Sequence, residues 1–464
     1  MLFTDFYFLF LFLPVVLLIV WNLKSRRNRF LALLIASYLF YAAWNYRFVA
    51  LLLLSTCVDF FSGLFIDRNK NNQRKKKIFL CISIACNLTI LGFFKYFNFF
   101  MTDFQELFAW FGFDLNVPHI KVILPVGISF YTFQSMSYTI DVYRERVKAT
   151  GNFLKFASYV SLFPQLVAGP IVRYKDIDEQ FNHINKSFDL SYLTEGLQIF
   201  LIGLFKKVLI ADSLAQLINP MFDNYLELGQ LQAWMAVLGY TFQLYFDFSG
   251  YSDMAIGLGR MIGLRFPYNF NSPYKAVNMA DFWKRWHISL STWLRDYLYI
   301  PLGGSRCSKR RTAVNILIVF ALGGLWHGAA WTFIIWGIYE GILVAGYYVF
   351  RRFWDNMPVI FQRALTFLFV VLGWAFFRSD NMSMASTLLR KMFIPVTAGI
   401  SFSSDMSRLI LWNAALLLVV NILTNSNSFK IKRSPVAAVV FACLFVLSIL
   451  VLNSFRIEFL YYQF

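Results

Sequence analysis

Uncharged apolar runs recur along almost the whole of this 464-residue chain, many of them long enough to cross a bilayer. No other feature constrains the fold as much, because backbone polar groups inside hydrocarbon must be satisfied within the protein. Soluble domains are excluded by the same pattern. The chain is 58% hydrophobic and 15% charged, against roughly a quarter charged in soluble proteins. It reads as an all-α polytopic integral membrane protein forming one transmembrane domain over residues 1–464. No soluble domain, fixed-period repeat or low-complexity linker interrupts it.

The first run, Phe6 to Leu23, has no basic segment before it and no small-residue cleavage pattern after it. Lys24-Ser25-Arg26-Arg27 follows as a stop-transfer signal, so the run counts as the first span. A formal net charge of +18 invites a nucleic-acid reading, but the basic residues sit in short loops. These are Lys24 to Arg29, Arg68 to Lys77, Arg306 to Arg311, Arg351-Arg352 and Lys430 to Arg433. Such clusters mark cytoplasmic loops facing an anionic leaflet, so no nucleic-acid partner is expected. Cys57, Cys81, Cys86, Cys307 and Cys443 are scattered, without metal-ligand spacing or a disulfide framework.

With those loops cytoplasmic, both termini lie outside and the chain makes about eleven crossings. Phe30 to Tyr46, Phe48 to Ile66 and Ile78 to Phe100 lead the set. Leu193 to Ile210, Leu231 to Phe246, a Thr312 to Phe350 hairpin, Val359 to Phe377, Leu409 to Leu423 and Val436 to Leu452 follow. Val122 to Tyr143 and Ser158 to Ile171 are apolar but broken by Pro125, Gly127, Pro164, Gly169 and Pro170. Breaks of that kind survive at membrane depth only where protein or a water-filled cavity covers the freed backbone, so re-entrant segments are expected there.

Leu325-Trp326-His327-Gly328 places a titratable ring inside the uncharged run Thr312 to Tyr339. From Arg311 to His327 a helix rises roughly 24 Å into a core about 30 Å thick. An ionisable residue so placed is a functional-site candidate; the alternative is an imidazole hydrogen-bonded to a neighbouring helix as packing glue.

A second constellation, Ala280 to Pro301, carries Trp283, Trp286, Leu290, Trp293, Leu294, Tyr297 and Leu298 at three- and four-residue spacing. Lys284, Arg285, Arg295 and Asp296 interrupt them, which suits an amphipathic helix at an interface or along a protein-lined cavity. His287 sits within it; an ordinary interfacial helix touching headgroups is the plainer alternative. Upstream, Tyr245 to Asp253 sets Asp247, Ser249, Tyr251 and Asp253 at the end of an apolar span. The two carboxylates are expected to line a polar channel or to pair with Arg260 or Arg285. Asp59 and Lys95 read as packing or snorkelling groups, and His119 and His183 as solvated bystanders.

A buried neutral histidine suits general-base work, removing a proton from a hydroxyl that attacks an acyl carbonyl. Burial disfavours the imidazolium and keeps the base available near neutral pH. The chain has no Gly-x-Ser-x-Gly elbow, Walker loop, dinucleotide fingerprint or paired metal motif. A transporter with broken helices and midplane charges satisfies much of the same pattern, although no internal duplication supports it.

Several motifs in fixed order resemble the membrane-bound O-acyltransferase (MBOAT) family. They include Leu124 to Gln134, Phe163 to Ile171, Phe246 to Ala255, Asn269 to Tyr274, Phe282 to Pro301 and Gly323 to Gly328. Within the family the likeness is to the bacterial branch of alginate and peptidoglycan O-acetyltransferase membrane subunits, with a catalytic core at about 124–345. The resemblance implies a ring of tilted helices around a central funnel. It puts the catalytic histidine at His327 and a second functional histidine at His287, with Trp283, Arg285 and Trp326 beside the substrate channel. It further implies acetyl-CoA or another cytoplasmic acyl thioester as donor, with no bound cofactor or metal. The acceptor would be an extracytoplasmic polysaccharide such as alginate or peptidoglycan. An SGNH-hydrolase-like partner acyltransferase would assist, at a bacterial inner membrane. The aromatic tail Phe459 to Phe464 resembles that of the branch, and a place outside at a pore mouth or partner is expected for it. D-alanyl transfer to teichoic acid from a carrier-protein thioester is the near alternative. One departure stands out: Trp336-Gly337-Ile338-Tyr339-Glu340-Gly341 has glutamate where many relatives carry histidine.

Overall fold

A computed structural model describes residues 1–113, 122–184, 189–395, 404–423, 425–426, 434–454 and 459–460. His119, the Lys430 to Arg433 loop and Tyr461 to Phe464 lie outside the described residues. Among the described residues the regular structure is entirely helical. Six stretches have the length and apolarity to cross a membrane: Arg26–Arg68, Gln73–Trp110, Trp331–Val349, Val359–Arg378, Ser404–Ile422 and Pro435–Leu452. The expected count of about eleven crossings also drew on shorter or more polar helices that fall outside this set, among them Leu13–Asn22, Leu190–Phe205, Gln230–Met261 and Lys309–His327.

Two compact units emerge. The first holds residues 1–200 and 254–267. Its helices Val49–Arg68, Gln73–Leu91 and Ile128–Tyr143 pack together around a buried polar cluster. There the fully buried Asp59 carboxylate accepts from the Ser83 hydroxyl and the Asn87 amide, and Asn87 in turn accepts from Ser55. Such satisfaction is what a carboxyl group at this depth requires. The proline- and glycine-broken stretches resolve into Ile128–Tyr143, Phe153–Val160 and Phe163–Leu166, all heavily buried, as the need to cover freed backbone demands.

Residues 201–253 and 268–464 form the second unit. Its centre is the expected hairpin, Lys309–His327 packed along Trp331–Val349. Gly324 and Gly337 set the spacing. A Cβ at Gly324 would lie 2.2 Å from the Phe333 carbonyl oxygen, and one at Gly337 2.2 Å from that of Phe320. Small residues at such crossings let membrane helices approach backbone to backbone. The helix runs unbroken through Gly323 and Gly324.

Ala280 to Pro301 departs from expectation. One continuous amphipathic helix was anticipated; the chain instead forms Met279–Arg285, breaks, resumes as Ile288–Leu294 and ends in a π-helical turn, Arg295–Tyr299. The break falls at His287, whose φ of 43° puts it in the left-handed region. A non-glycine residue adopts that conformation only when its surroundings hold it there.

Candidate active site

His327 is the last residue of its helix and 4% exposed. Trp336 and Phe377 meet its ring nearly edge-on, at centroid distances of 5.2 and 5.3 Å. The helix ends there because Gly328 turns extended, which leaves the imidazole at a helix end among aromatic walls.

His287 is fully buried, with Phe248 edge-on at 4.6 Å. Its Nδ1 lies 3.2 Å from Asn269 Oδ1. The Ser289 backbone N–H donates to that same atom at 3.1 Å, and the Ser289 hydroxyl donates at 2.9 Å. A backbone N–H can only donate, so the shared atom is the amide oxygen. His287 Nδ1 therefore carries the proton in the bond to Asn269, and Nε2 carries the lone pair. The Asn269 carbonyl also accepts from the Ile288 N–H at 2.9 Å, and its amide donates to Ser252 at 3.3 Å. Through this network the left-handed break is held.

The two imidazole centroids lie 6.3 Å apart, and Trp326 stands 6.2 Å from His287. A cavity of about 390 Å³ reaches His327. Trp283, Phe320, Leu294, Ile288 and Trp336 wall it; Lys284, Arg295, Ser291 and Thr292 add polar groups. The lining is mostly apolar, with a few cationic and hydroxyl groups. Among the described residues no three His, Cys, Asp or Glu side chains gather where a metal ion could bind.

Of the expected channel residues, Trp283 lines this cavity. Asp247 and Asp253 are buried in ion pairs, but not with the arginines anticipated from sequence. Lys207 bridges Asp247 and Asp212 (2.5 and 2.7 Å), and Lys206 pairs with Asp253 at 2.6 Å. Arg260 binds Glu195 instead, and Arg285 binds Asp281 one helical turn away. The reason is a π-helical turn, Lys206–Ala211, at the end of the helix Leu190–Phe205. Gly250 lets the two backbones close up, since a Cβ there would sit 2.7 Å from the Gly203 carbonyl oxygen and 3.0 Å from Lys207 N. Short aspartates then reach the lysines.

Asp247 also accepts the Leu460 backbone N–H at 3.1 Å, and the Phe459 ring stacks on Tyr251 at 4.4 Å. Phe459 and Leu460 are buried, so this part of the expected tail packs within the second unit. Ser249 is buried on the same helix.

The sequence matches the membrane-bound O-acyltransferase family over residues 143–386, and both histidines fall inside the match. The chain belongs to that family. It is 46% identical over 397 residues to the probable alginate O-acetylase AlgI of Pseudomonas aeruginosa, covering 85% of this chain and 75% of the relative. With the peptidoglycan O-acetyltransferase of Helicobacter pylori it shares 42% identity over 426 residues, covering 84% and 80%. Identity to the teichoic acid D-alanyltransferase of Bacillus subtilis is 31% over 281 residues, 56% of this chain and 70% of the relative. These relations make the protein a membrane O-acyltransferase, working in membrane O-acetylation.

Sequence reasoning passed over three features of the acyltransferase. Lys206 and Lys207 lay inside an assigned span, and two adjacent cations there should have demanded buried counter-charges. Asn269 was quoted only as part of a motif. Phe248, the ring against His287, carried no signal beyond hydrophobicity.

Proposed function

We propose that His327 is the general base of acyl transfer and that His287 supports it. The reading rests on one observation: two buried imidazoles 6.3 Å apart, one of them lining a cavity of about 390 Å³. In this mechanism His327 takes the proton from an acceptor hydroxyl while the oxygen attacks the thioester carbonyl. The carbon–sulfur bond breaks, and the departing thiolate takes up the proton. The aromatic and aliphatic walls exclude water that would otherwise hydrolyse the thioester.

The donor in this reading is a cytoplasmic acetyl thioester, acetyl-CoA in the simplest case, with Lys284 and Arg295 near its charged end. The acceptor is an extracytoplasmic polysaccharide, reached directly or through an SGNH-hydrolase-like partner. The site is in a bacterial inner membrane with both termini outside. The two O-acetylating relatives, more similar and more fully covered than the D-alanyltransferase, favour acetyl over D-alanyl.

Membranes carrying the protein and its partner, given labelled acetyl-CoA, are expected to move label onto extracytoplasmic polymer. His327→Ala should lower transfer by at least about a thousandfold, the upper part of the range for losing a general base, while inserting normally. Full acetylation by that variant would end the assignment. Deleting the gene and finding which polymer loses its esters identifies the acceptor.

A further inference from the structure

Glu340 is 1% exposed, and among the described residues no lysine or arginine forms an ion pair with it. An unpaired carboxyl group is costly to bury, and an apolar side chain would fill the space without that cost. Its hydrogen bond points to a purpose: Oε2 accepts the indole N–H of Trp283 at 3.0 Å. The other oxygen occupies room that glycine leaves open, because a Cβ at Gly373 would stand 2.7 Å from it. The carboxyl group sits beside the side-chain-free Gly373 and accepts from Trp283.

That partner is a wall of the cavity that reaches His327. The Trp283 ring meets Phe320 at 5.1 Å and Trp336 at 5.9 Å, and Trp336 meets His327 at 5.2 Å. A continuous line therefore runs from the carboxyl group through two indoles to the catalytic ring. Without the acceptor, the Trp283 indole loses the one hydrogen bond that fixes its orientation beside the cavity.

We propose that Glu340 is a positioning residue: it pins Trp283 as a fixed wall of the donor cavity and so sets the room left for the acyl-thioester arm. The inference rests on the donor reading given above. Its effect falls on donor binding, because Glu340 touches neither the base nor the reacting carbonyl.

The test is a double-mutant cycle in membranes with labelled acetyl-CoA as probe. Glu340→Ala and Trp283→Phe should each raise KM for acetyl-CoA about tenfold, the size expected for a lost hydrogen bond to a carboxyl group, with kcat changed less than about twofold. The double variant should be no worse than either single one, since both remove the same bond. Glu340→Gln keeps an acceptor oxygen and should restore near-normal KM. Thermal stability in detergent checks folding, and Trp283→Phe carries the test if Glu340→Ala fails to insert. A Gln variant as impaired as the Ala variant overturns the proposal, as do multiplying effects or a loss in kcat alone. His327→Ala run alongside separates the two ideas. Lost transfer there with unchanged KM in Glu340→Ala sinks only this inference; retained transfer in His327→Ala sinks the donor reading beneath it.

Discussion

Asn269 governs the second histidine from eighteen residues away in sequence. Its one oxygen receives Nδ1–H of His287 and both donors of Ser289. Removing it strands several buried donors at a cost of about 1–3 kcal/mol each. Asn269→Ala is therefore expected to reduce kcat on the order of ten- to a hundredfold, and a comparison of initial rates in matched membranes checks this. Asn269→Asp keeps the acceptor and should lose less. At this scale the sequence was half legible. His327 and His287 announce themselves because imidazoles are rare in apolar surroundings, and the paired lysines 206 and 207 should have done the same. Asn269 is invisible for a physical reason: an amide reads as loop polarity until the fold brings a ring nitrogen to its oxygen.

Among the elements, the Lys309–His327 and Trp331–Val349 hairpin shows how packing fixes chemistry. His327 holds its place only if the two backbones stay close at Gly324 and Gly337. Gly324→Ala must push the Phe333 carbonyl aside, an overpacking cost of about 1–3 kcal/mol. The expected outcome is a lower unfolding temperature in detergent together with reduced transfer. Unchanged stability would mean the contact is slack. The hairpin was readable because long apolar runs bounded by basic clusters are an unambiguous signal. The segment around His287 was not. Its aromatic spacing continues from Trp283 to Tyr297 straight across the break, and periodicity alone cannot register one left-handed residue.

For the molecule as a whole, the charge distribution sets orientation. Cys307 is exposed and lies in the Arg306 to Arg311 cluster, which the positive-inside rule assigns to the cytoplasm. In a variant with Cys307 as sole cysteine, a membrane-impermeant maleimide should label inside-out vesicles and leave intact cells unlabelled. The reverse result would invert the topology, and with it the side from which the donor arrives.

Asp247 and the Leu460 amide that completes its bonding are separated by 213 positions. A ribosome adding about 5–20 residues per second takes roughly 10–40 s to supply that last donor once the carboxylate has been made. Throughout this interval the half-made enzyme lacks a piece of its own interior. A nascent chain that already carries both histidines therefore still waits for the amide that Asp247 accepts.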